Sequence, residues 1–274
     1  SGGSPQRFPL GRDGSGWHPA FVGASGRQEF HTMVSFSLSG KRALVTGSNI
    51  GIGRAIAIAL GAAEAEVICA SRSGAADTVA QIAHARELRL DFADPMAARD
   101  VFAAEPIDIL VNNAGIIRRG AAEDFAEADW DDVIDVNLKA VFFTSQAFAR
   151  AVLGRGASGK IVNIASLLSL QGGIRVASYT AAKHGVAGLT KLLSNEWAAR
   201  GINVNAIAPG YIETNNTAAL RADPDRNRAI LDRIPAGRWG RPEDIAGAAV
   251  FLCSPAADYV HGAILSVDGG WLGR

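Results

Sequence analysis

Short apolar runs alternate with longer stretches of helical periodicity along most of the chain. Seven runs predict β-strands, at residues 42–46, 66–71, 87–91, 107–112, 160–165, 203–208 and 263–267. Helices are predicted over residues 54–63, 94–104, 130–153, 178–200 and 242–253. Strands that alternate with helices indicate a parallel sheet covered on both faces. The pattern therefore predicts an α/β fold: a single doubly wound domain with a seven-stranded parallel sheet.

The first 32 residues do not follow this pattern. They hold seven of the 31 glycines and three of the ten prolines, without apolar periodicity. A stretch of this composition buries too little surface to offset its ordering entropy. We expect residues 1–32 to be a flexible extension, native or added upstream, and residues 33–274 to form the folded domain.

Composition and charge narrow the possible partners. The 27 Lys and Arg residues balance 27 Asp and Glu residues, so the chain has no basic field for nucleic acid or an anionic membrane. No apolar run approaches the ~20 residues of a membrane helix, and no signal peptide opens the chain. Cys69 and Cys253 lie in apolar runs and form no disulfide framework, which favours a reducing cytoplasm. No cluster with metal-ligand spacing is present, so no metal is expected.

A glycine-rich turn joins the first predicted strand to the first predicted helix. It reads Gly47, Ser48, Asn49, Ile50, Gly51, Ile52 and Gly53. Glycines allow a tight turn and a close approach to a pyrophosphate, which then rests on the helix N-terminus. Because the turn stands at the head of a strand–helix–strand unit, these seven residues are predicted to bind a dinucleotide.

Several further motifs occur in order along the chain. Asn112 begins an NNAG sequence, Ser166 stands 13 residues before Tyr179, Tyr179 and Lys183 form YxxxK, and a Pro-Gly pair follows the sixth strand. With the TGxxxGxG turn, this set resembles the classical short-chain dehydrogenase/reductase family over residues 38–274. The resemblance implies a Rossmann fold and an NAD(P)-dependent enzyme that interconverts a keto group and a secondary alcohol.

The resemblance also implies the catalytic residues, Asn137, Ser166, Tyr179 and Lys183. Tyr179 and Lys183 are four residues apart, on one face of a helix. A nearby ammonium favours the phenolate, and lowering the pKa of Tyr179 by ~2–3 would bring a general acid/base into working range. Ser166 would hold the substrate oxygen, and the resemblance gives Asn137 a water that relays protons through Lys183.

The second strand indicates which nicotinamide cofactor is used. An acidic residue at its end would select NAD, whereas Ser71 and Arg72 stand there. A guanidinium beside a hydroxyl can receive a 2′-phosphate, so NADP(H) is favoured and NAD(H) remains possible. By resemblance, the further cofactor-binding residues are Asp91, Phe92, Asn113, Ala114, Gly115, Tyr179, Lys183, Pro209, Gly210, Ile212 and Thr214.

Loops around the predicted site are similar to a sugar-acid branch of the family. Arg118, Arg119 and Arg175 lie in two of these loops and are candidates for a substrate carboxylate, or for surface charges. A 3-oxoacyl-[acyl-carrier-protein] reductase and a gluconate 5-dehydrogenase remain alternatives, and a non-catalytic regulatory protein is the alternative from another class. The family also implies a homotetramer, formed through apolar faces of the two longest helices, and a substrate lid after the Pro-Gly pair.

Overall fold

A seven-stranded sheet organises residues 34–274, the part of the chain that the computed structural model describes. All neighbouring strands are parallel, in the order β3-β2-β1-β4-β5-β6-β7. The predicted doubly wound seven-stranded sheet is thereby confirmed. The strands are β1 (Arg42–Thr46), β2 (Glu66–Ser71), β3 (Ala85–Arg89), β4 (Ile109–Asn112), β5 (Gly159–Ile164), β6 (Ile202–Pro209) and β7 (Ile264–Val267).

Helices cover both faces of the sheet. The α-helices are α1 (Gly51–Ala62), α2 (Ala76–Val79), α3 (Val101–Ala104), α4 (Glu127–Ile134), α5 (Ala140–Gly154), α6 (Ala177–Trp197), α7 (Ala218–Ala222), α8 (Pro224–Leu231) and α9 (Pro242–Cys253). A π-helical turn at Asp135–Lys139 joins α4 to α5. No helix in the described range is long and apolar enough to span a bilayer.

The sheet separates two apolar cores because successive strand residues point to opposite faces. Val45 packs with α1 and α9 on one face, whereas Leu44 packs with α5 and α6 on the other. Both residues are fully buried. Burial on both faces explains why the central strands are continuous apolar runs rather than alternating ones.

Among the stretches that differ from the predicted elements, two have a local cause. The helix expected over 94–104 exists only as α3, because the carboxylates of Asp91 and Asp94 accept backbone N–H groups two residues on and favour turns. Conversely, α7 and α8 lie in a segment for which no helix was predicted. The cap of α8 is local: Asp223 accepts the N–H groups of Asp225 and Arg226, ahead of an N-terminal proline.

A chain of buried amides crosses the centre of the fold. Asn112 of β4 and Asn163 of β5 are register partners, and Asn112 Nδ2 donates to Asn163 Oδ1 at 2.9 Å. Asn163 Nδ2 donates to the Thr190 hydroxyl of α6 at 3.0 Å, and Asn112 also donates to Ser145 of α5 at 3.0 Å. Both side-chain amide nitrogens thus have buried acceptors, and two strands are tied to two helices.

The predicted extension over residues 1–32 lies outside the described residues. Within residues 34–274, Cys69 and Cys253 are buried free thiols. No group of three His, Cys, Asp or Glu side chains in that range is placed to hold a metal ion.

Candidate active site

A cleft of about 250 Å³ opens at the carboxyl ends of β5 and β6. This end of a doubly wound sheet is where ligands bind, because the loops that leave the strands diverge there. The cleft is lined by, among others, Ile52 of the glycine turn, Ser166 after β5, Tyr179 and Lys183 of α6, and Thr214 after β6. The structure therefore brings together three of the four predicted catalytic residues and part of the predicted cofactor set.

The backbone of the glycine turn is packed so closely at Gly53 that a residue with a Cβ would not fit there. A Cβ on Gly53 would lie 2.2 Å from the carbonyl oxygen of Gly47, and Gly47 itself has a φ of +64°. No side chain caps the N-terminus of α1, and no acidic residue occupies its first turn. Free N–H groups at the start of a helix beside such a backbone cradle fit a pyrophosphate.

Side chains outside the glycine turn hold it in place. The Arg54 guanidinium donates to the Asn49 carbonyl at 2.6 Å and to the Thr78 hydroxyl at 3.2 Å. Thr78 in turn donates to the Ser48 carbonyl at 2.8 Å. The turn is therefore braced before any ligand binds, which lowers the entropic cost of binding.

A second set of hydrogen bonds connects the glycine turn to the NNAG motif. The buried Thr46 hydroxyl accepts the backbone N–H groups of Asn113 and Ala114, both at 2.9 Å. The Asn113 amide donates back to the carbonyls of Thr46 and Gly47. The first motif residue, Asn112, belongs to the buried amide chain. The two motifs thus form one hydrogen-bonded unit at the ends of β1 and β4.

Ser166, Tyr179 and Lys183 surround one side of the cleft. Ser166 begins a 3₁₀ turn after β5, and its hydroxyl accepts the N–H of Leu168 at 3.1 Å. Tyr179 and Lys183 share one face of α6, with the Lys183 Nζ 5.5 Å from the centre of the Tyr179 ring. Lys183 is 5% exposed and donates to the Ile164 carbonyl at 2.6 Å.

The pKa values of this group are set mainly by burial. Burial lowers the pKa of Lys183 to about 8. Burial also raises the pKa of Tyr179, against a hydrogen bond with Ser166 and the positive charge of Arg119, which both lower it. The predicted lowering of the Tyr179 pKa by Lys183 is therefore wrong for this structure. The loss of hydration outweighs the neighbouring charges, so at neutral pH the phenol is a proton donor.

Asn137 occupies the π-helical turn and is fully buried. Its Nδ2 donates to the Ile116 carbonyl at 2.8 Å, and its Oδ1 accepts the Ile116 N–H at 2.8 Å. The side-chain amide therefore fastens the loop after β4 instead of lining the cleft. A role in proton relay stays a prediction, and π-turns of this kind are frequent at functional sites.

Only one of the three candidate arginines lines the cleft. Arg119 does so, and it donates to the Asn216 carbonyl at 3.0 Å. Arg118 instead pairs with Asp129 and Asp132 of α4, at 3.2 Å and 3.1 Å. Arg175 is exposed in a loop, in a left-handed conformation with a φ of +60°, and does not line the cleft.

Sequence reasoning missed five polar side chains of the cleft, namely Gln171, Tyr211, Asn216, Thr217 and Arg226. Arg226 of α8 and Gln171, which follows the 3₁₀ turn after Ser166, both line it. Arg226 gave no signal of its own, because the segment after β6 carries several arginines and no helix was predicted there. Gln171 lies in the same loop as Arg175, and its sequence neighbours give no signal that it lines a cleft.

The end of β2 carries the residues predicted to choose the cofactor. Ser71 is buried, and its hydroxyl donates to the Gly74 carbonyl at 2.7 Å, whereas Arg72 is exposed. Arg89, which was not predicted, approaches the same loop: a Cβ on Gly74 would lie 3.3 Å from its Nη2. Two guanidinium groups thus flank this loop, together with Glu87, which accepts the N–H of Ala75 at 3.0 Å.

Three of the other predicted cofactor residues, Ser48, Asp91 and Phe92, do not line the cleft, and their part in cofactor binding stays a prediction. Phe92 is 7% exposed and packs in the core beneath α5, so only its backbone could face a ligand. The fully buried Ser48 side chain points to the Ala70 carbonyl, at 3.4 Å. Asp91 is exposed, and its carboxylate accepts the Ala93 N–H at 3.0 Å. By contrast, the cleft is lined by Asn113, Gly115, Pro209, Gly210, Ile212 and Thr214.

Residues 211–238, the segment after β6 for which a substrate lid was predicted, form one side of the cleft and are called the lid segment here. Thr214, Asn216, Leu220 and Arg226 line the cleft from this segment, which includes α7 and α8. The Asn216 carbonyl accepts from Arg119, so the lid touches the loop after β4. The apolar base of the segment packs around Trp239 and Trp271.

A doubly wound sheet with a braced glycine turn and a Ser–Tyr–Lys group beside it defines a dinucleotide-dependent oxidoreductase. A family model described as enoyl-(acyl carrier protein) reductase matches residues 46–272. The chain belongs to the short-chain dehydrogenase/reductase family.

Within the family, the chain is similar to sugar-acid dehydrogenases. It is 55% identical over 249 residues to 2-dehydro-3-deoxy-D-gluconate 5-dehydrogenase of Bacillus subtilis, covering 88% of this chain and 98% of that protein. An Agrobacterium tumefaciens protein solved with bound NADP is 71% identical, with a TM-score of 0.86 over 87% of this chain and 99% of that one. A Burkholderia cenocepacia gluconate 5-dehydrogenase, solved with NADP and tartrate, is 41% identical, with a TM-score of 0.83 over 89% and 100%.

Proposed function

We propose that the protein is an NADP-dependent oxidoreductase that interconverts a keto group and a secondary alcohol on a small sugar acid. The observation that carries this proposal is the charge of the cleft. Arg119, Lys183 and Arg226 line it, and no Asp or Glu is among the described residues that do so. A cleft with three cationic side chains and no carboxylate favours an anionic substrate, although the chain as a whole has no net charge.

The proposed chemistry divides the work between three side chains. The hydroxyls of Ser166 and Tyr179 hold the substrate carbonyl oxygen by hydrogen bonds. In reduction, the Tyr179 Oη–H bond breaks and its proton passes to that oxygen. A reduced nicotinamide, when bound, would supply the hydride that the carbonyl carbon accepts. Lys183 keeps an ammonium close to the phenolate that remains. We assign Asn137 the positioning of the loop after β4.

The cofactor proposal rests on the end of β2. Ser71 stands where an acid would select NAD, and Arg72 and Arg89 lie beside it, which fits a 2′-phosphate. Structures of two relatives contain NADP, which supports the same choice. Arg72→Glu places a carboxylate there and should lower kcat/KM for NADPH by about 100-fold. Arg99→Glu, an exposed arginine away from this loop, is the matched control. An unchanged ratio of NADPH to NADH activity would refute the assignment.

The substrate proposal follows the names of the relatives. We propose 2-dehydro-3-deoxy-D-gluconate, oxidised at its C5 hydroxyl, with D-gluconate as the second compound to test. The experiment follows NADP⁺- and NAD⁺-linked oxidation of both compounds, with NADPH-linked reduction of an acetoacetyl thioester as comparison. A kcat/KM for the thioester above that for either sugar acid would replace this proposal with an acyl reductase. Absence of turnover with all three would favour a regulatory role.

We also propose a homotetramer in the cytoplasm. Leu192 of α6 and Trp130 of α4 are 47% and 41% exposed, and large exposed apolar side chains favour pairing with further copies of the chain. The two buried free thiols fit a reducing compartment. Light scattering that gives a monomer would contradict the tetramer, and recovery of the native protein in a membrane or secreted fraction would contradict the compartment.

A further inference from the structure

A tryptophan near the C-terminus contacts a side chain that lines the cleft. The indole N–H of Trp271 donates to Oε1 of Gln171 at 3.1 Å, across 100 residues of sequence. Trp271 is 5% exposed, and the guanidinium of Arg233 lies over its ring at 4.0 Å. The ring of Tyr211 lies at 4.7 Å on the same indole. The indole is therefore held on several sides, and its N–H has a fixed direction.

This contact decides which end of the Gln171 amide is free. An indole nitrogen can only donate, whereas a carboxamide has one oxygen that accepts and one nitrogen that donates. The Trp271 bond therefore holds the oxygen of Gln171 away from a ligand. Nε2 has no acceptor among the described residues, and the side chain lines the cleft. The amide thus offers donors to a ligand, as Arg119 and Arg226 do.

We propose that Gln171 is a specificity-determining residue that donates a hydrogen bond to a hydroxyl or carboxylate oxygen of the substrate, and that Trp271 is the positioning residue that sets its orientation. This proposal rests on the proposed function as a sugar-acid oxidoreductase, and it adds that this part of the cleft presents hydrogen-bond donors to the substrate. A ligand group that can only donate would meet the donors of Gln171, Arg119 and Arg226 in the cleft, and its binding would be disfavoured. The backbone of Gln171 is anchored as well, since its N–H donates to the Leu167 carbonyl beside Ser166.

A double-mutant cycle tests whether Trp271 acts through Gln171. Gln171→Met removes the donor and should lower kcat/KM for the sugar acid about 3- to 10-fold, mainly through KM. Trp271→Phe keeps an aromatic ring over Arg233 but loses the N–H, and should have a similar effect. If Trp271 acts through Gln171, the double variant is no worse than Gln171→Met alone. Effects that multiply would overturn the proposal.

Trp239→Phe is the matched control for damage to the aromatic cluster. Its indole also donates to a carboxamide, Asn227 Oδ1 at 2.7 Å, within the same cluster, but Asn227 does not line the cleft. Combined with Gln171→Met, its effect on kcat/KM should multiply. If Trp239→Phe instead shows the same non-additivity as Trp271→Phe, the coupling is a property of the whole cluster and the proposal fails.

Gln171→Glu tests whether position 171 must present a hydrogen-bond donor to the substrate. A glutamate can still accept from Trp271, but it turns acceptor oxygens and a negative charge to the substrate. We expect kcat/KM for the sugar acid to fall about 100-fold, well below that of Gln171→Met, with the Kd for NADPH unchanged. A Gln171→Glu enzyme as active as Gln171→Met would show that no substrate oxygen faces this position.

A spectroscopic readout separates this proposal from the choice of substrate. The ¹H–¹⁵N signal of the Trp271 indole, assigned by its loss in Trp271→Phe, should shift in Gln171→Met, and its hydrogen should exchange faster. An unchanged signal would overturn the contact. If the signal changes while the wild type turns over no sugar acid, the positioning of Gln171 stands and the proposed function is the part that fails.

Discussion

Replacing Lys183 with methionine removes a buried ammonium whose protonation is coupled to folding. Lys183 is 5% exposed, and burial lowers its pKa from 10.5 to about 8. Between these two values the unfolded chain binds a proton that the folded protein does not. Stability therefore rises with pH over this window, by up to about 1.4 kcal/mol per pH unit. Below pH 8 the full cost of burying the charge is present in the folded protein.

The magnitude follows from the two pKa values. Integrated from pH 7 to pH 9.5, the coupling adds about 2 kcal/mol to the stability of the wild type and nothing to that of Lys183→Met. Loss of the 2.6 Å bond to the Ile164 carbonyl adds an offset of about 1–3 kcal/mol that does not vary with pH. The unfolding free energy of the wild type minus that of Lys183→Met should therefore rise by about 2 kcal/mol between pH 7 and pH 9.5.

Urea unfolding of the ligand-free protein, at fixed protein concentration and at several pH values, measures this difference. Lys191→Met is the matched control, because Lys191 lies exposed on the same helix and its curves show what a lysine-to-methionine change does without burial. Parallel curves for wild type and Lys183→Met would refute the reasoning, since they would mean that Lys183 has the same pKa in the folded and unfolded states.

Three further predictions concern the turn and the cleft. Thr46→Val leaves two backbone donors unpaired and should lower the free energy of unfolding in urea by about 2–4 kcal/mol, whereas Thr46→Ser restores most of it. Gly53→Ala should raise the Kd for NADPH more than about 10-fold in fluorescence titration, because its Cβ would lie 2.2 Å from the Gly47 carbonyl; equal affinity would show that the turn can yield. Arg119→Gln removes a charge that lowers the pKa of Tyr179, which must be deprotonated to accept the alcohol proton; the rising acidic limb of the pH profile for alcohol oxidation should therefore move to higher pH, while Arg119→Lys should leave it in place.

Where local pattern and tertiary packing agree, the sequence predicts this fold well. The helix Pro242–Cys253 begins and ends as predicted, because proline starts it and its apolar positions face the sheet. The region after β3 shows the opposite case. Its alanines fit a helix, but Asp91 and Asp94 bond to the backbone and terminate each turn. Propensity alone does not weigh these two effects against each other.

The site divides in the same way. The glycine turn and the Tyr179–Lys183 pair have fixed spacings, so the sequence shows them directly. Arg118 and Arg119 are neighbours in sequence, and only the position of α4 decides that Arg118 meets two carboxylates while Arg119 faces the cleft. The Gln171–Trp271 bond spans 100 residues and has no local signal at all. The sequence therefore indicates the reaction, whereas tertiary contacts decide which polar side chains line the cleft and how they are oriented.

The buried amides of Asn112 and Asn163 also constrain how the sheet can assemble. A parallel pair of apolar strands such as β4 and β5 could slide along each other with little change in buried apolar area. A shift of one residue would turn Asn112 to the opposite face from Asn163, so that Asn163 Oδ1 would lose its donor and Asn112 Nδ2 would lose this acceptor. Each unpaired group costs about 1–3 kcal/mol, so the misaligned sheet is rejected during folding. The two amides thus fix the register of β4 and β5. They thereby fix the position of Ser166, which follows β5, relative to the glycine turn that follows β1.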